Sequence, residues 1–495
     1  MNNMCQLWHY PNRFVAIYLI ARFVIWTVVI WLTQPTLPLD VLEHLAWGKE
    51  WRLVYSSHPG LPAWINEAVH ITFSGNHLAL SAISPFFSCV AIWAVWQLAR
   101  DTLKNNNTAA IAALSLEGVF YFNISAIEFN HNVAQLTAIT LFFLTVWRAF
   151  SLGKYWWPVA GMIAAFAMWA KYSSLLVLVS IFLWSLWDRQ ARGFYRSWGP
   201  YAAMAVFTIL ILPNIWALTA TDFQPVEFAF NRAKKSTAWW QSAVFPLHFM
   251  LAQVMASILA VALCRLATGR WLPRWSTATP TFSNRFIIVA AFSPLLLAML
   301  ISAVGGLRFK STWGAAMCSL WPLLILMWHG DGKLNIRFWR RGFIIISALT
   351  VIIHTAIFIG GPYLTGKAKR VHYPAAQIAS HIDREWAQQF PEQPLSYVIG
   401  KKHTASMVSY YSQWRPSAVI DGDLKKSFWV KADDIHQSGA VIVWVVDNGK
   451  GRQNQPFVFS QSTPLLQRQP NFKVDWLSGA NLPALEMGWA ILPPR

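Results

Sequence analysis

The stretch Leu39-Asp40-Val41-Leu42-Glu43-His44 sets two carboxylates and an imidazole just after the first long apolar run of the chain. A carboxylate so placed can take a proton from a hydroxyl, and an adjacent imidazole can share that work or help bind a cation. If the chain is helical to Trp51, then Asp40, Glu43, His44 and Trp47 fall at i, i+3, i+4 and i+7 on one face. Leu42, Leu45 and Ala46 then point to other sides, which predicts an amphipathic helix lying on a membrane surface. The same spacing suits a helix start, with Asp40 as N-cap and Glu43 three residues on. The two readings are compatible, because a helix start also fixes a carboxylate in place. Next comes His58-Pro59-Gly60-Leu61-Pro62-Ala63-Trp64, where two prolines predict a rigid turn. That turn leads into a helix expected to re-enter the membrane.

Other polar residues interrupt apolar sequence. Glu128-Phe129-Asn130-His131-Asn132 lies between two apolar runs, either as a solvated link or as part of a site. Glu117 falls about midway along a run, where an ionisable residue is there for pairing or for function. Lys171-Tyr172 marks the junction of two runs, and its lysine either snorkels to the interface or meets a phosphate. Two basic groups, Arg232/Lys234/Lys235 and Arg308/Lys310, stand in loops that topology would leave neutral. A bound phosphate would account for both, and so would solvated loop charge or contact with lipid headgroups.

These residues need a frame to hold them, and the composition supplies it. Of 495 residues, 55% are hydrophobic and 12% charged, against about 25% charged in soluble domains. We read eleven apolar runs as membrane spans: 14–33, 77–98, 108–126, 134–150, 156–171, 172–187, 200–220, 244–264, 286–304, 313–328 and 343–361. The first of these lacks a small-residue cleavage site and reads as a membrane helix rather than a removable signal. Arg22 within it is expected to face other helices. The net charge of +19 concentrates in short loops, so it predicts topology and contact with anionic membrane lipids rather than nucleic acid. With the N-terminus inside, the inside loops carry Arg100 and Lys104; Arg148 and Lys154; Arg189, Arg192 and Arg196; Arg265, Arg270, Arg274 and Arg285; and Lys333, Arg337, Arg340 and Arg341. Their acids are Asp101, Asp188 and Asp331. This positive-inside pattern puts the C-terminal region outside.

We divide the chain into a membrane domain, 1–362, whose first outer loop is 34–76, and an extracytoplasmic domain, 363–495. In the latter, Ser396–Gly400, Ala418–Asp421 and Val441–Asp447 read as buried strands and Pro374–Gln389 as an amphipathic helix. The expected fold class is therefore mainly α and polytopic, with a small C-terminal α/β domain. Cys5, Cys89, Cys264 and Cys318 are scattered, which argues against a disulfide framework.

The sequence LDVLEHLAWGKEW followed by HPGLPAW resembles the first extracytoplasmic loop of the bacterial glycosyltransferase family 39 proteins. These are similar to protein O-mannosyltransferases and to the aminoarabinose transferase that modifies lipid A. EFNHN and AKYSS also resemble that group, as does the layout of many spans followed by an outer domain. Gly60 departs from the family's usual HPPL. The resemblance implies the C-type membrane glycosyltransferase fold and inverting transfer from a polyprenyl-phosphate-linked sugar, at the outer face of the bacterial inner membrane. It implies Asp40 as general base, with Glu43 assisting or helping to hold a divalent metal, and His44 or His58 as co-ligand. Lys171 and the basic outer residues Arg232, Lys234, Arg308 and Lys310 would hold the lipid phosphate, while Glu128, Asn130 and Tyr172 would line the substrate site. No nucleotide cofactor is expected, and the acceptor is a glycolipid, a glycan or a protein. The competing reading is a transporter or flippase of a lipid-linked or anionic substrate. It would show internal repeats and broken polar helices, and Glu117 is the residue that favours it. A non-catalytic sensor is the third reading.

Overall fold

The computed structural model describes residues 10–103, 105–153, 155–271, 280–330, 332–447 and 466–495; Cys5, Lys104, Lys154, Arg274 and Asp331 lie outside them. The described chain is mainly helical, with one substantial sheet near the C-terminus. Among the described residues eight helices are long and apolar enough to cross a membrane, or nine if one sharply bent pair counts as a single span. This count differs from the eleven crossings expected. The run at 108–126 is broken and bent by 87°. The fifth and sixth runs form helices of only 15 and 14 residues, Trp156–Ala170 and Ser174–Trp187. At 1.5 Å per residue each spans about 21–23 Å, less than a hydrocarbon core of about 30 Å. Chain contacts divide the protein into two compact units. One comprises Met1–Thr27, Ser57–Pro59 and Ala82–Ile352; the other comprises Val28–Ser56, Gly60–Ser81 and Ile353–Arg495.

In the second unit, the α/β region follows the sequence closely. Strands β3 (Tyr397–Gly400), β4 (Ser417–Ile420) and β5 (Ala440–Asp447) are parallel, in the order β4-β3-β5, and β8 (Leu485–Leu492) adds antiparallel to β5. Short strands β6 (Gln467–Arg468) and β7 (Phe472–Val474) pair with β8. Helix Lys402–Tyr411 connects β3 to β4, and helix Ala432–Ser438 connects β4 to β5. The expected amphipathic helix is Ala375–Gln389, which buries Ile378, Ala379, Ile382 and Trp386. They fall at i, i+1, i+4 and i+8, which is one face of a helix. The loop between the first two long helices belongs to this unit too, apart from Ser57–Pro59. It folds into helices Leu39–Gly48 and Leu61–Thr72.

The first unit holds the larger apolar core, rich in alanine and aromatics from several helices. Its basic loops carry their own acids: Arg148 Nε donates to Asp101 at 2.8 Å and Arg285 Nε to Asp188 at 2.6 Å. Glu117 does not sit midway in a continuous span. Helix Asn106–Leu114 gives way to 3-10 turns at Ser115–Gly118, Phe120–Phe122 and Ile124–Ala126. Gly118 permits the break, since a Cβ there would lie 2.2 Å from the Ala260 backbone nitrogen. The Asn123 side chain then donates to the Glu117 carbonyl and accepts from the Ile124 N–H. Arg22 closes the arrangement. Its guanidinium donates to the Glu117 carboxylate, to Ser88 Oγ at 2.6 Å and to the Phe122 carbonyl. Both charges are buried, so each offsets the desolvation of the other. Glu117 is thus a pairing residue that braces a bend.

This ion pair yields a stability prediction. Arg22→Met leaves Glu117 buried with no cation, which costs about 3–5 kcal/mol. Thermal unfolding in detergent should show a clear drop for Arg22→Met and recovery of most of it in the Arg22→Met/Glu117→Gln double variant.

Candidate active site

Pro38 sets the start of the carboxylate helix. It stands at the N-cap with φ −67° and ψ 162°, and helix Leu39–Gly48 follows. Asp40 therefore lies inside the first turn and is not the N-cap expected from the sequence. The four-residue face exists as expected, but the helix does not lie exposed on a surface. Val41 to Gly48 are all buried, while Asp40 is half-buried. The reason is packing on more than one side. Gly48 allows helix Leu61–Thr72 to approach so closely that a Cβ would meet the Ala63 carbonyl at 2.5 Å and Glu67 Cβ at 2.6 Å. Helix Lys402–Tyr411 packs on it as well.

Each polar residue of that face has a structural neighbour. The Glu43 carboxylate is paired with Lys402 Nζ at 2.6 Å. His44 Nδ1 is 3.4 Å from the Asn66 amide, which also donates to the Pro62 carbonyl at 2.8 Å. Trp47 stacks on Tyr55 at 4.9 Å between centroids, and the Tyr55 hydroxyl donates to the Trp47 carbonyl at 2.6 Å. The loop is held to the α/β region by further charge. Arg415 donates through both terminal nitrogens to the Glu67 carboxylate at 2.8 and 2.9 Å, a fork geometry that fixes direction as well as distance. Arg415 adopts φ 48° to do so. Ser417 donates to Glu50 at 2.6 Å, and Lys49 donates to the Arg415 carbonyl.

The metal expectation for Glu43 and His44 can be tested against these neighbours. Among the described residues no three His, Cys, Asp or Glu side chains are grouped as a ligand set. Glu43 already has an ammonium partner. The donor set does not fit a bound divalent ion, and no chemical step is assigned to one here.

The remaining expected site residues belong to the first unit. His58 stacks on His131 at 3.7 Å between centroids and meets the Phe228 ring edge-on at 5.9 Å. The Arg232 guanidinium lies 5.4 Å from the centre of the same Phe228 ring. Lys171 Nζ donates to Asn132 Oδ1 at 2.6 Å, and the Arg232 charge is within electrostatic reach of that ammonium. The two basic loops flagged in the sequence come together. Strand β1 (Lys234–Lys235) pairs antiparallel with β2 (Leu307–Arg308), setting Lys234 opposite Arg308. Gly306 makes the turn at φ +59°, and its carbonyl accepts from Ser236 N at 2.7 Å. Lys310 joins the cluster: burial, then Arg232 and Lys234, push its ammonium below the usual lysine range. Asn130 caps helix His131–Leu152, accepting from Asn132 N at 2.9 Å and Val133 N at 3.3 Å. Tyr172 donates to Asn214 Oδ1 at 3.0 Å. Glu128 is half-buried in the same segment.

Sequence reasoning missed Lys402, Asn66, Arg415, Phe228 and the separate parts of His131 and Asn132. The last two lay inside a segment already flagged. Nothing in the spacing of Lys402 or Arg415 ties either to a loop so far upstream.

The comparisons follow this geometry. Residues 57–216 match the sequence model of the dolichyl-phosphate-mannose-protein mannosyltransferase family. The structure of ArnT from Cupriavidus metallidurans bound to undecaprenyl phosphate is similar, with a TM-score of 0.63 and 12% identity over 97% of this chain and 98% of that one. Its apo state gives 0.59 and 11%, with the same coverage. The arabinofuranosyltransferase AftD from Mycobacteria gives 0.50 and 10% over 97% of this chain and 40% of that chain. No curated protein sequence matches. At such identities the likeness is one of fold. It is the fold shared with these membrane glycosyltransferases, and the family match takes in HPGLPAW, EFNHN and AKYSS, while LDVLEHLAWGKEW lies before its first residue.

Gly60, the departure from the family's HPPL, has a physical cause. Its N–H donates to the Leu53 carbonyl at 3.0 Å, and a Cβ would lie 2.6 Å from the Arg52 carbonyl oxygen. Proline would remove the donor and crowd that oxygen. Gly60→Pro should therefore lower the unfolding temperature measurably in a thermal-shift assay, corresponding to about 1–3 kcal/mol for the orphaned carbonyl and the contact. An unchanged or raised midpoint would contradict this account of the turn.

Proposed function

We propose that this protein is an inverting glycosyltransferase of the bacterial inner membrane. It moves a sugar, a hexose or pentose, from a polyprenyl-phosphate-linked donor to an acceptor hydroxyl or phosphate at the outer face. The N-terminus is cytoplasmic and the α/β region extracytoplasmic. The observation that carries the reading is the shared fold over nearly the whole length of ArnT, whose structure was solved with undecaprenyl phosphate. The family match over 57–216 supports it, and so does the cationic ribbon, whose chemistry suits a phosphate.

The chemistry divides by residue type. Asp40 takes the proton of the acceptor hydroxyl as the oxygen attacks the anomeric carbon. The new C–O bond forms as the bond to the lipid phosphate breaks, and the electron pair leaves on the phosphate oxygen. Attack from the face opposite the leaving group inverts the anomeric configuration. The departing phosphate gains charge and needs cations placed in advance. Lys171, Arg232, Lys234, Arg308 and Lys310 are the residues we assign to it. His58 and Tyr172 frame that group, Glu128 and Asn130 complete its polar wall, and His44 supports the Asp40 helix. The acceptor is a glycolipid, a glycan or a protein, and its identification belongs to the test.

Two variants separate the roles. With a radiolabelled polyprenyl-phosphate sugar pool and cell-envelope extract, Asp40→Asn should lose about 10²–10⁴-fold in transfer, the usual worth of a general base, while still binding the lipid donor. Lys171→Met should instead raise the donor KM by about ten- to hundredfold, as expected for one charged hydrogen bond. Equal transfer by wild type and Asp40→Asn would remove Asp40 from the mechanism. Donor binding with no transfer by the wild type would favour the transport reading.

A further inference from the structure

The α/β region has a point at which its topology reverses. β3 has β4 on one side and β5 on the other, so the connection that leaves β3 for β4 is reversed by the next, which crosses from β4 to β5. In open α/β sheets the carboxyl end of the strands at such a point is where ligands gather. Here the chain leaves β3 at Gly400, and Lys402 opens helix Lys402–Tyr411. Lys402 Nζ lies 2.6 Å from the Glu43 carboxylate and 5.9 Å from the centre of the Trp47 ring. Glu43 is 5% exposed, and a helix start with an ammonium is a favourable place for a buried carboxylate. Asp40 lies three residues before Glu43 on the same helix. Two carboxylates so spaced repel each other unless one is neutralised.

We infer that Lys402 is a positioning residue for sugar transfer, supplied by the C-terminal region, which pairs with Glu43 so that Asp40 alone serves as base. The inference rests on the reading of Asp40 given above. It gives the C-terminal region a part in the chemistry itself. Glu43 acts through Lys402 rather than on the substrate. The other ionisable groups on the elements packed against helix Leu39–Gly48 are accounted for. His44 sits beside Asn66, and Glu67 is held by Arg415. Burial, then Arg415, push His70 down. Burial, then Arg370, push His403 down to about 4. Burial raises Tyr410 and Tyr411.

Without Lys402, Glu43 either keeps its charge and disfavours that of Asp40, or takes up a proton itself. Both move the acid limb of the rate profile upward. The test measures transfer against pH for wild type, Lys402→Met, Lys402→Arg and Asp40→Asn in the full-length protein. Lys402→Met should shift the acid limb up by about one pH unit, a loss of about tenfold below the limb, with the plateau at higher pH kept. Lys402→Arg should keep the wild-type profile, because it keeps the charge. A Lys402→Met profile that overlays wild type overturns the proposal, as does an equal loss at every pH in both lysine variants. Transfer by Asp40→Asn equal to wild type overturns the underlying assignment of the base instead, so the two failures are told apart.

Discussion

A carboxylate stays ionised in a low-dielectric interior only if a cation comes with it. Glu43, Glu67 and Glu117 are each at most 5% exposed, and each meets a basic side chain: Lys402, Arg415 and Arg22. Much of the architecture follows from bringing those cations in. Arg22 comes from the first long helix and braces the bend at 115–126. Arg415 and Lys402 come from the α/β region and fix the two short helices of the first loop against it. The helix bearing Asp40 is therefore held by its flanks. Its geometry depends on a domain that the linear order of the chain places at the far end.

The separability of local and distant information explains how much could be read in advance. Eight of the eleven spans, the strands β3 to β5 and helix Ala375–Gln389 were legible, because hydrophobic period is a local property. The shared face of Asp40, Glu43, His44 and Trp47 was legible for the same reason. The burial of that helix was not. A ten-residue segment with charged and aromatic residues looks amphipathic, and only Gly48, a position where no side chain fits, hints that a second helix presses against it. The break at 115–126 was hidden as well. Its residues are apolar enough for a span, and the bend depends on contacts made by Gly118, Asn123 and Arg22.

Some polar residues flagged for chemistry serve the backbone, and the distinction is physical. Asn130 spends its side-chain oxygen on two N–H groups at a helix start, groups that have no partner within the helix. That need accounts for an asparagine at this helix start. Gly60 is a similar case. The departure from a proline is not a relaxation of the turn, since the N–H that proline lacks is bonded to Leu53. Rigidity at this turn comes from that hydrogen bond and from Pro59 and Pro62 on either side.

The cationic ribbon is the feature least explained by folding. Lys234 stands directly opposite Arg308, and like charges in that position destabilise a strand pair. Lys310 has Arg232 and Lys234 close enough to disfavour its own charge. Arg232, Lys234, Lys235, Arg308 and Lys310 are exposed, so burial did not force the grouping. Loops joining membrane helices could disperse these charges at no cost to the spans. A two-stranded ribbon of this kind instead concentrates them, against mutual repulsion. An anion bound at the ribbon would offset that repulsion. A phosphate carries the charge and the acceptor oxygens to offset the repulsion of several cations at once. The ribbon's electrostatics thus favour a ligand that arrives and leaves over a permanent structural role for these residues.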